Sequence, residues 1–583
     1  MPSTSGRRAR KRPTRRTRRA APAPVAAGDG HRLWMLDIPY GVRPSGAVYD
    51  RARKAWVHAG PTLPDWLRPF ASTPYSRLRW LEDDANGAAG PGLPDIAAKS
   101  PRGVQLEGAK LITDAARAGA RGFLLTDDAG NGKTITAWLA AREIADDRAF
   151  GDGSVLILVD RPSAITIPHW RSTIAAVGDG GHRILISSPD QLPNLLSGNG
   201  RPGFGRWSVI IADEAHLYRH VDTRRVQVFQ RIARFTAEHD QAPFVIYASA
   251  TPGQFPAELT YLAPLLAQLH HEPTAAWLPL GPRLAAAGLP IEPRFGRWTW
   301  NDRAEADPKA QAAATGQLRR WLTDAAPPLT AHRAAAWGPA PLDVAEVELT
   351  YQQHIAYDTE WAQFSADLQA AGSRPAARGR VAAGRAAVLR FRQKASLLRI
   401  DATVDWAAAQ IDTGHQVAIS CEFVGAAAEP IAASLDRKGI PVARIYGGRS
   451  NDRPAETERM RFQTGQAAAV VFTPTTSLSL HANEHLADGT FATAAPRVGI
   501  MHNVRYSGIA GRQVIGRIHR DHQVARWLLA YASGTVEAGI AQVMMERFAA
   551  TADLAGADSA ALRQVAALLG TDWLPDESLL TAE

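Results

Sequence analysis

The chain has 583 residues, 45% hydrophobic and 21% charged, which is too long for one ordinary core and mixed as a globular protein is. Its net charge of +9 is local: residues 7–19 hold nine Lys and Arg and no acid, and elsewhere 57 basic residues face 57 acidic ones. A single cysteine, Cys421, excludes intramolecular disulfides and cysteine-cluster zinc sites, and no run of about 18 apolar residues offers a membrane span. The abundance of Ala, Arg, Gly and Pro suggests a GC-rich genome, so the expected setting is the cytoplasm of a bacterium or of a phage-infected host cell.

Residues 1–30 read as a disordered basic tail with no apolar run behind its charges, hence neither a secretory signal nor an anchor. Its cations can neutralise phosphates and add salt-sensitive, sequence-blind affinity for nucleic acid; a merely solubilising tail is the alternative. Residues 31–82 mix short strand-like runs with Gly, Pro and aromatic residues and form a small module. There Arg43, Arg51, Arg53, Lys54 and Trp56 can combine phosphate contacts with base stacking, unless Trp56 simply fills the core of a β-rich cap. Residues 83–100, containing DDANGAAGPGLPD, read as a linker.

From 101 to 266 the apolar runs GFLLT, SVLILVD, RILISS, WSVIIAD and FVIYASA alternate with helical stretches, the rhythm of strands buried on both faces of a parallel sheet. Residues 267–410 read as a helical connection with Pro-rich breaks. The rhythm returns in HQVAISCEF, VARIYGG, AAVVFTP and RVGIMHN, giving a second α/β lobe over 411–533, and 534–583 read as C-terminal helices and a polar tail.

The loop after GFLLT is DDAGNGKT and a helix follows. A strand, a glycine loop, Lys-Thr and a helix make a phosphate-binding loop, in which the amides of Gly130, Asn131 and Gly132 face an anion, Lys133 meets the β and γ phosphates of ATP, and Thr134 holds magnesium. Asp127 stands where the usual pattern has its first glycine. Asp213, Glu214, Ala215 and His216 end the strand WSVIIAD: Asp213 is placed to hold magnesium, and Glu214 to orient and deprotonate a water. Ser249, Ala250 and Thr251 end the next strand. Downstream, RQVIGRIHRDHQ places Gln513, Arg517 and Arg520 at the start of a predicted helix, with the two arginines one turn apart and able to reach a phosphate across a cleft; a solvated basic face is the alternative.

In this order the motifs resemble superfamily-two helicases, and particularly the Swi/Snf-type translocases, over 101–533. The resemblance implies two RecA-like parallel-sheet lobes with the small N-terminal module and helical insertions. It also implies that Gln105 reads adenine, that Gln513 joins the nucleotide side, and that the segment carrying Trp170 contacts the tracked strand. VELTYQQHIAYDTEW and LRFRQKASLLRIDATVDWAAAQI resemble that branch's entry into the second lobe. Two features depart from it: ASATP replaces TGTP, and TPTTSLSLHANE lacks the glycines of the fifth motif, although Thr475 and Ser477 can still donate to phosphates. The expected activity is ATP- and Mg2+-dependent movement on, or remodelling of, double-stranded or branched DNA, with other replication or repair proteins as further partners. A strand-separating DNA or RNA helicase, a packaging motor and a nucleotide-gated clamp without turnover are the rivals. The second lobe with QVIGRIHR argues against the packaging motor.

Overall fold

The computed structural model describes residues 32–36, 38, 43–50, 55–70, 93, 98–147, 153–160, 163–188, 207–220, 223–235, 242–294, 297–305, 307–372, 377–446, 455–473, 479–486, 489–504 and 507–557. The basic tail, Arg51, Arg53, Lys54, Thr475 and Ser477 lie outside the described residues. The chain forms two compact units that divide between Gly92 and Leu93.

In the first unit, β1 (Arg32–Leu36), β2 (Val48–Asp50) and β3 (Ala55–Gly60) make an antiparallel sheet in the order β1-β3-β2. Leu36, Leu63 and Leu67 are its buried centre, and Trp56 packs against them while meeting Tyr49 edge-on at 5.6 Å. Arg43 is exposed.

The second unit holds two six-stranded sheets, both wholly parallel. In the first, β4 (Gly122–Leu125), β5 (Ser154–Leu158), β6 (Arg183–Ser187), β7 (Val209–Asp213), β8 (Phe244–Ala248) and β11 (Thr330–Ala331) lie in the order β11-β4-β8-β7-β5-β6. β9 (Ile291–Arg294) and β10 (Arg297–Trp300) form a separate antiparallel pair. In the second sheet, β12 (Leu342–Val347), β13 (Gln416–Ser420), β14 (Val442–Ile445), β15 (Ala469–Phe472), β16 (Arg497–Met501) and β17 (Arg526–Ala532) lie in the order β12-β17-β16-β13-β15-β14. Central strands such as β4, β5, β8, β13 and β16 are buried at every residue, as helices on both faces require. These are the two parallel-sheet α/β lobes that the apolar rhythm predicts, in the two-lobe RecA-like arrangement that the resemblance implies.

The stretch 267–410 is not a separate insertion. β11 completes the first sheet beside β4 and β12 completes the second beside β17, so the chain crosses from the first lobe to the second over 332–341. Tyr357, Phe364 and Phe391, from the helices Tyr351–Gly372 and Ala377–Leu397, join the core that contains Trp527 and Leu529 of β17. The helix Glu537–Ala555 packs on the helix Gly508–Ile515 and also reaches the first lobe, where Ala555 O accepts Thr126 Oγ1 at 2.7 Å. Among the described residues no helix is long and apolar enough to cross a membrane.

Candidate functional site

Three adjacent strands of the first sheet, β4, β8 and β7, deliver the glycine loop, the Ser-Ala-Thr turn and the acidic pair to one edge. This is the carboxyl end of a parallel sheet, where α/β proteins bind ligands. Gly130 (φ 90°) and Gly132 (φ 81°) are left-handed, a conformation costly for any residue with a Cβ. Gly132 caps the helix Lys133–Asp146, so Thr134 stands in the first turn, at the positive end of the helix dipole. Lys133 Nζ donates to the carbonyls of Asp127 (2.8 Å) and Asp128 (3.2 Å). Burial pulls its pKa below the ordinary 10.5, against Glu214, Asp127, Asp128 and Asp213, which all favour the cation.

The backbone at Asp127 is not left-handed, so no glycine is required there. Its fully buried carboxylate turns instead to Arg333. Gln105 is 2% exposed; its Oε1 accepts Arg102 N–H at 2.9 Å and its Nε2 donates to Asn131 O at 3.4 Å, which puts it against the loop backbone.

At the end of β7, Asp213 Oδ2 accepts the indole N–H of Trp170 at 2.8 Å, and Oδ1 accepts Glu214 N–H at 3.1 Å. Trp170 is 1% exposed, so the expectation that it touches a nucleic-acid strand fails for want of surface; it orients Asp213 instead. Burial, and then the charge of Glu214, raise the Asp213 carboxyl; the Trp170 hydrogen bond and Lys133 oppose them. Glu214 moves the other way: burial would raise it, but a hydrogen bond and charge from His216, together with Lys133 and Arg517, hold it low. Glu214 sits at φ 50°, a left-handed strain of order 1 kcal/mol for a non-glycine residue, of the kind that clusters at functional positions.

His216 joins the lobes. Its Nδ1 lies 3.3 Å from Glu214 Oε2 and 3.1 Å from Ser249 Oγ, and its Nε2 lies 3.2 Å from Gln513 Nε2, which also donates to Glu214 Oε2 at 3.4 Å. The helix carrying Gln513 ends at Ile515 with Gly516 as its cap, so Arg517 and Arg520 occupy the turns beyond it rather than the start of a helix. Arg517 is 6% exposed; burial, with Arg520 adding, brings its pKa down to about 10 while Glu214 and Asp160 oppose. A Cβ at Gly130 would lie 3.0 Å from Arg520 Cβ, which places that arginine over the glycine loop, and its buried Nε has no hydrogen-bond partner among the described residues.

A left-handed glycine pair at a helix N-terminus, a half-buried lysine among carboxylates and an arginine N–H with no partner among the described residues fit a polyphosphate, and Thr134 with Asp213 offers oxygen ligands that suit magnesium. Lys133, Thr134, Asp213, Glu214, Gln513, Arg517 and Arg520 converge on one site. Sequence reasoning missed Arg333 and Trp337, which cover the loop from the Pro-rich crossing, and the bridging role of His216. Composition gives no signal for the first two, whereas His216 stood in view beside Glu214.

No family model matches the chain, and no curated protein matches it. Among solved structures it is similar to the Sulfolobus solfataricus SWI2/SNF2 ATPase core in complex with dsDNA, with a TM-score of 0.31 and 14% sequence identity, over 84% of this chain and 99% of that chain. The two-lobe architecture stands on the two parallel sheets themselves.

Proposed function

We propose that this chain is an ATP-driven motor of the superfamily-two kind that moves on or remodels double-stranded or branched DNA. The observation that carries the reading is a site made by both lobes, in which Gln513 of the second is bonded to Glu214 and His216 of the first beside the glycine loop and Lys133. The amides of Gly130–Gly132 and Lys133 hold the β and γ phosphates, and Thr134 and Asp213 hold magnesium. Magnesium, when bound, supplies charge that neutralises phosphate oxygens. Glu214, kept ionised and oriented by His216, positions the attacking water and accepts its proton. Arg517 and Arg520 meet the charge that develops on the transferred phosphoryl group, and they belong to the other lobe, so hydrolysis requires closure. Nucleic acid held by both lobes is then gripped in alternation as they open and close.

The choice of DNA duplex rests on the sequence resemblance of 347–411 to the Swi/Snf-type connection and on a chain that is electroneutral outside its tail. Such a chain suits local backbone contacts, which position a protein on nucleic acid without reading bases. ATPase stimulation by blunt duplex, forked DNA, single strands and RNA tests this, together with strand displacement on a long tailed duplex. The reading expects the strongest stimulation from duplex or forked DNA and little displacement. Stimulation by single strands alone, with processive displacement, would make the protein an ordinary helicase.

A further inference from the structure

The chain crosses from one lobe to the other directly over the glycine loop. Two residues past β11, Arg333 gives its backbone N–H (3.1 Å) and its Nε (2.9 Å) to Asp127 Oδ1 and its Nη2 to Asp127 Oδ2. Its Nη1 donates to the carbonyl of Val104, in the helix Gly103–Arg117. The carbonyl of Arg333 accepts Asn131 Nδ2 at 2.7 Å and Asp128 N–H at 3.2 Å. Further along the crossing, Ala335 N–H donates to Asp128 Oδ2 at 3.0 Å, and the Trp337 ring lies 2.6 Å from where a Gly130 Cβ would be.

The seat for this guanidinium is cut into a helix. A Cβ on Gly108 would stand 2.1–2.3 Å from Arg333 Nη1, Nη2 and Cζ, so an alanine there would evict the arginine. Glycine is a poor helix former, and its place in the helix Gly103–Arg117 matches a need for close approach. Asp127 has no exposed surface, so nothing from solvent can replace Arg333 as its partner. Because the donor belongs to the crossing rather than to the first lobe's sheet, a change in the angle between lobes acts on the residues that shape the loop.

We propose that Arg333 is a positioning residue: seated on Gly108, it clamps Asp127 so that the inter-lobe crossing sets the shape of the phosphate loop and couples its nucleotide affinity to lobe closure. This rests on reading the loop as an ATP site. The clamp also gives Asp127 a reason to occupy a position where a glycine is usual. An arginine from the crossing can hold a carboxylate there, and it cannot hold a glycine.

The test is calorimetric ATP affinity of the full chain, with and without duplex DNA, for wild type, Arg333→Gln, Gly108→Ala and the double variant Asp127→Gly with Arg333→Gln. Arg333→Gln and Gly108→Ala are expected to weaken ATP binding about tenfold and to bring the DNA-induced change in affinity close to onefold. The double variant, with no buried carboxylate left unpaired, recovers affinity relative to Arg333→Gln but not its dependence on DNA. If Arg333→Gln fails to fold, Gly108→Ala carries the test, since it leaves both partners chemically intact. A folded Gly108→Ala or double variant that keeps the wild-type DNA effect overturns the proposal, as does a wild type whose ATP affinity ignores DNA. Absence of ATP binding by wild type overturns the proposed function itself, a different result from unchanged coupling.

Discussion

In the first lobe the candidate site residues stand at the ends of three adjacent, fully paired strands: Lys133 after β4, Ser249 after β8, and Asp213 with Glu214 after β7. In the second lobe they stand on the end of one helix and the turns beyond it, at Gln513, Arg517 and Arg520. Strand ends are fixed by the pairing of their sheet, with the glycine loop after β4 held in addition by the crossing at Arg333. Groups beyond a helix end meet the site only when the lobes are together, here through Gln513 on Glu214 and Arg520 over Gly130. On the proposed reading the first lobe binds and prepares, and the second decides whether turnover proceeds.

The sharpest way to break this division is within the first lobe. Lys133→Ala and Glu214→Gln should each lower turnover by roughly a thousandfold or more, the first by removing phosphate charge and the second by removing the water-orienting carboxylate. Calorimetry should find ATP binding weakened in the first and kept in the second. Turnover near wild type in either would show that these groups are not the reactive ones.

Across the interface, Gln513→Ala and His216→Ala should each reduce kcat by about ten- to a hundredfold with little change in ATP affinity. Because they share one contact, their combination should cost less than the product of the two. Additive losses in single-turnover kinetics would mean that the lobes do not communicate through His216.

A smaller effect separates stability from chemistry. His502, in the second lobe, is fully buried between Ser396 and Thr403; burial first, then the charge of Arg399, hold its pKa well below the ordinary 6.5, with a backbone bond at Ser396 opposing. The unfolded chain binds the proton more readily, so this contribution to stability is present above pH 6.5 and is lost as pH falls below it. Urea unfolding should show less stability at pH 5 than at pH 7 from this group, and His502→Gln should flatten the dependence. An unchanged slope in that variant would place the acid sensitivity elsewhere.

The smallest expected effect concerns residues 1–30. Their removal should weaken DNA affinity and flatten its salt dependence while leaving the ATPase rate at saturating DNA nearly unchanged. Equal slopes of log affinity against log salt would show that the nine charges touch no phosphate.

Much of the fold was legible because buried parallel strands are continuous apolar runs: GFLLT, SVLILVD and WSVIIAD announce β4, β5 and β7 without their partners. β11 has only two residues and β12 is half-buried at a sheet edge, so neither carries that signal, and the connection 267–410 read as helical. The chemistry of the first lobe was legible because Lys133 with Thr134, and Asp213 with Glu214, are neighbours in sequence. Arg333 on Asp127 and Gln513 on His216 were not, since each pair is about two to three hundred residues apart and meets only through the arrangement of the lobes. Gly516 ends its helix early, which periodicity in QVIGRIHR hides. The resemblance implies that the segment carrying Trp170 contacts a nucleic-acid strand, whereas the indole itself is buried against Asp213.

The most direct test of a site completed across the lobes is Arg520→Ala, assayed for ATP binding by calorimetry and for hydrolysis with saturating duplex DNA. The account predicts a protein that binds ATP within a few-fold of wild type and hydrolyses it at least about a hundredfold more slowly. Hydrolysis at the wild-type rate would contradict it, because the second lobe would then contribute nothing to the chemistry that the first prepares.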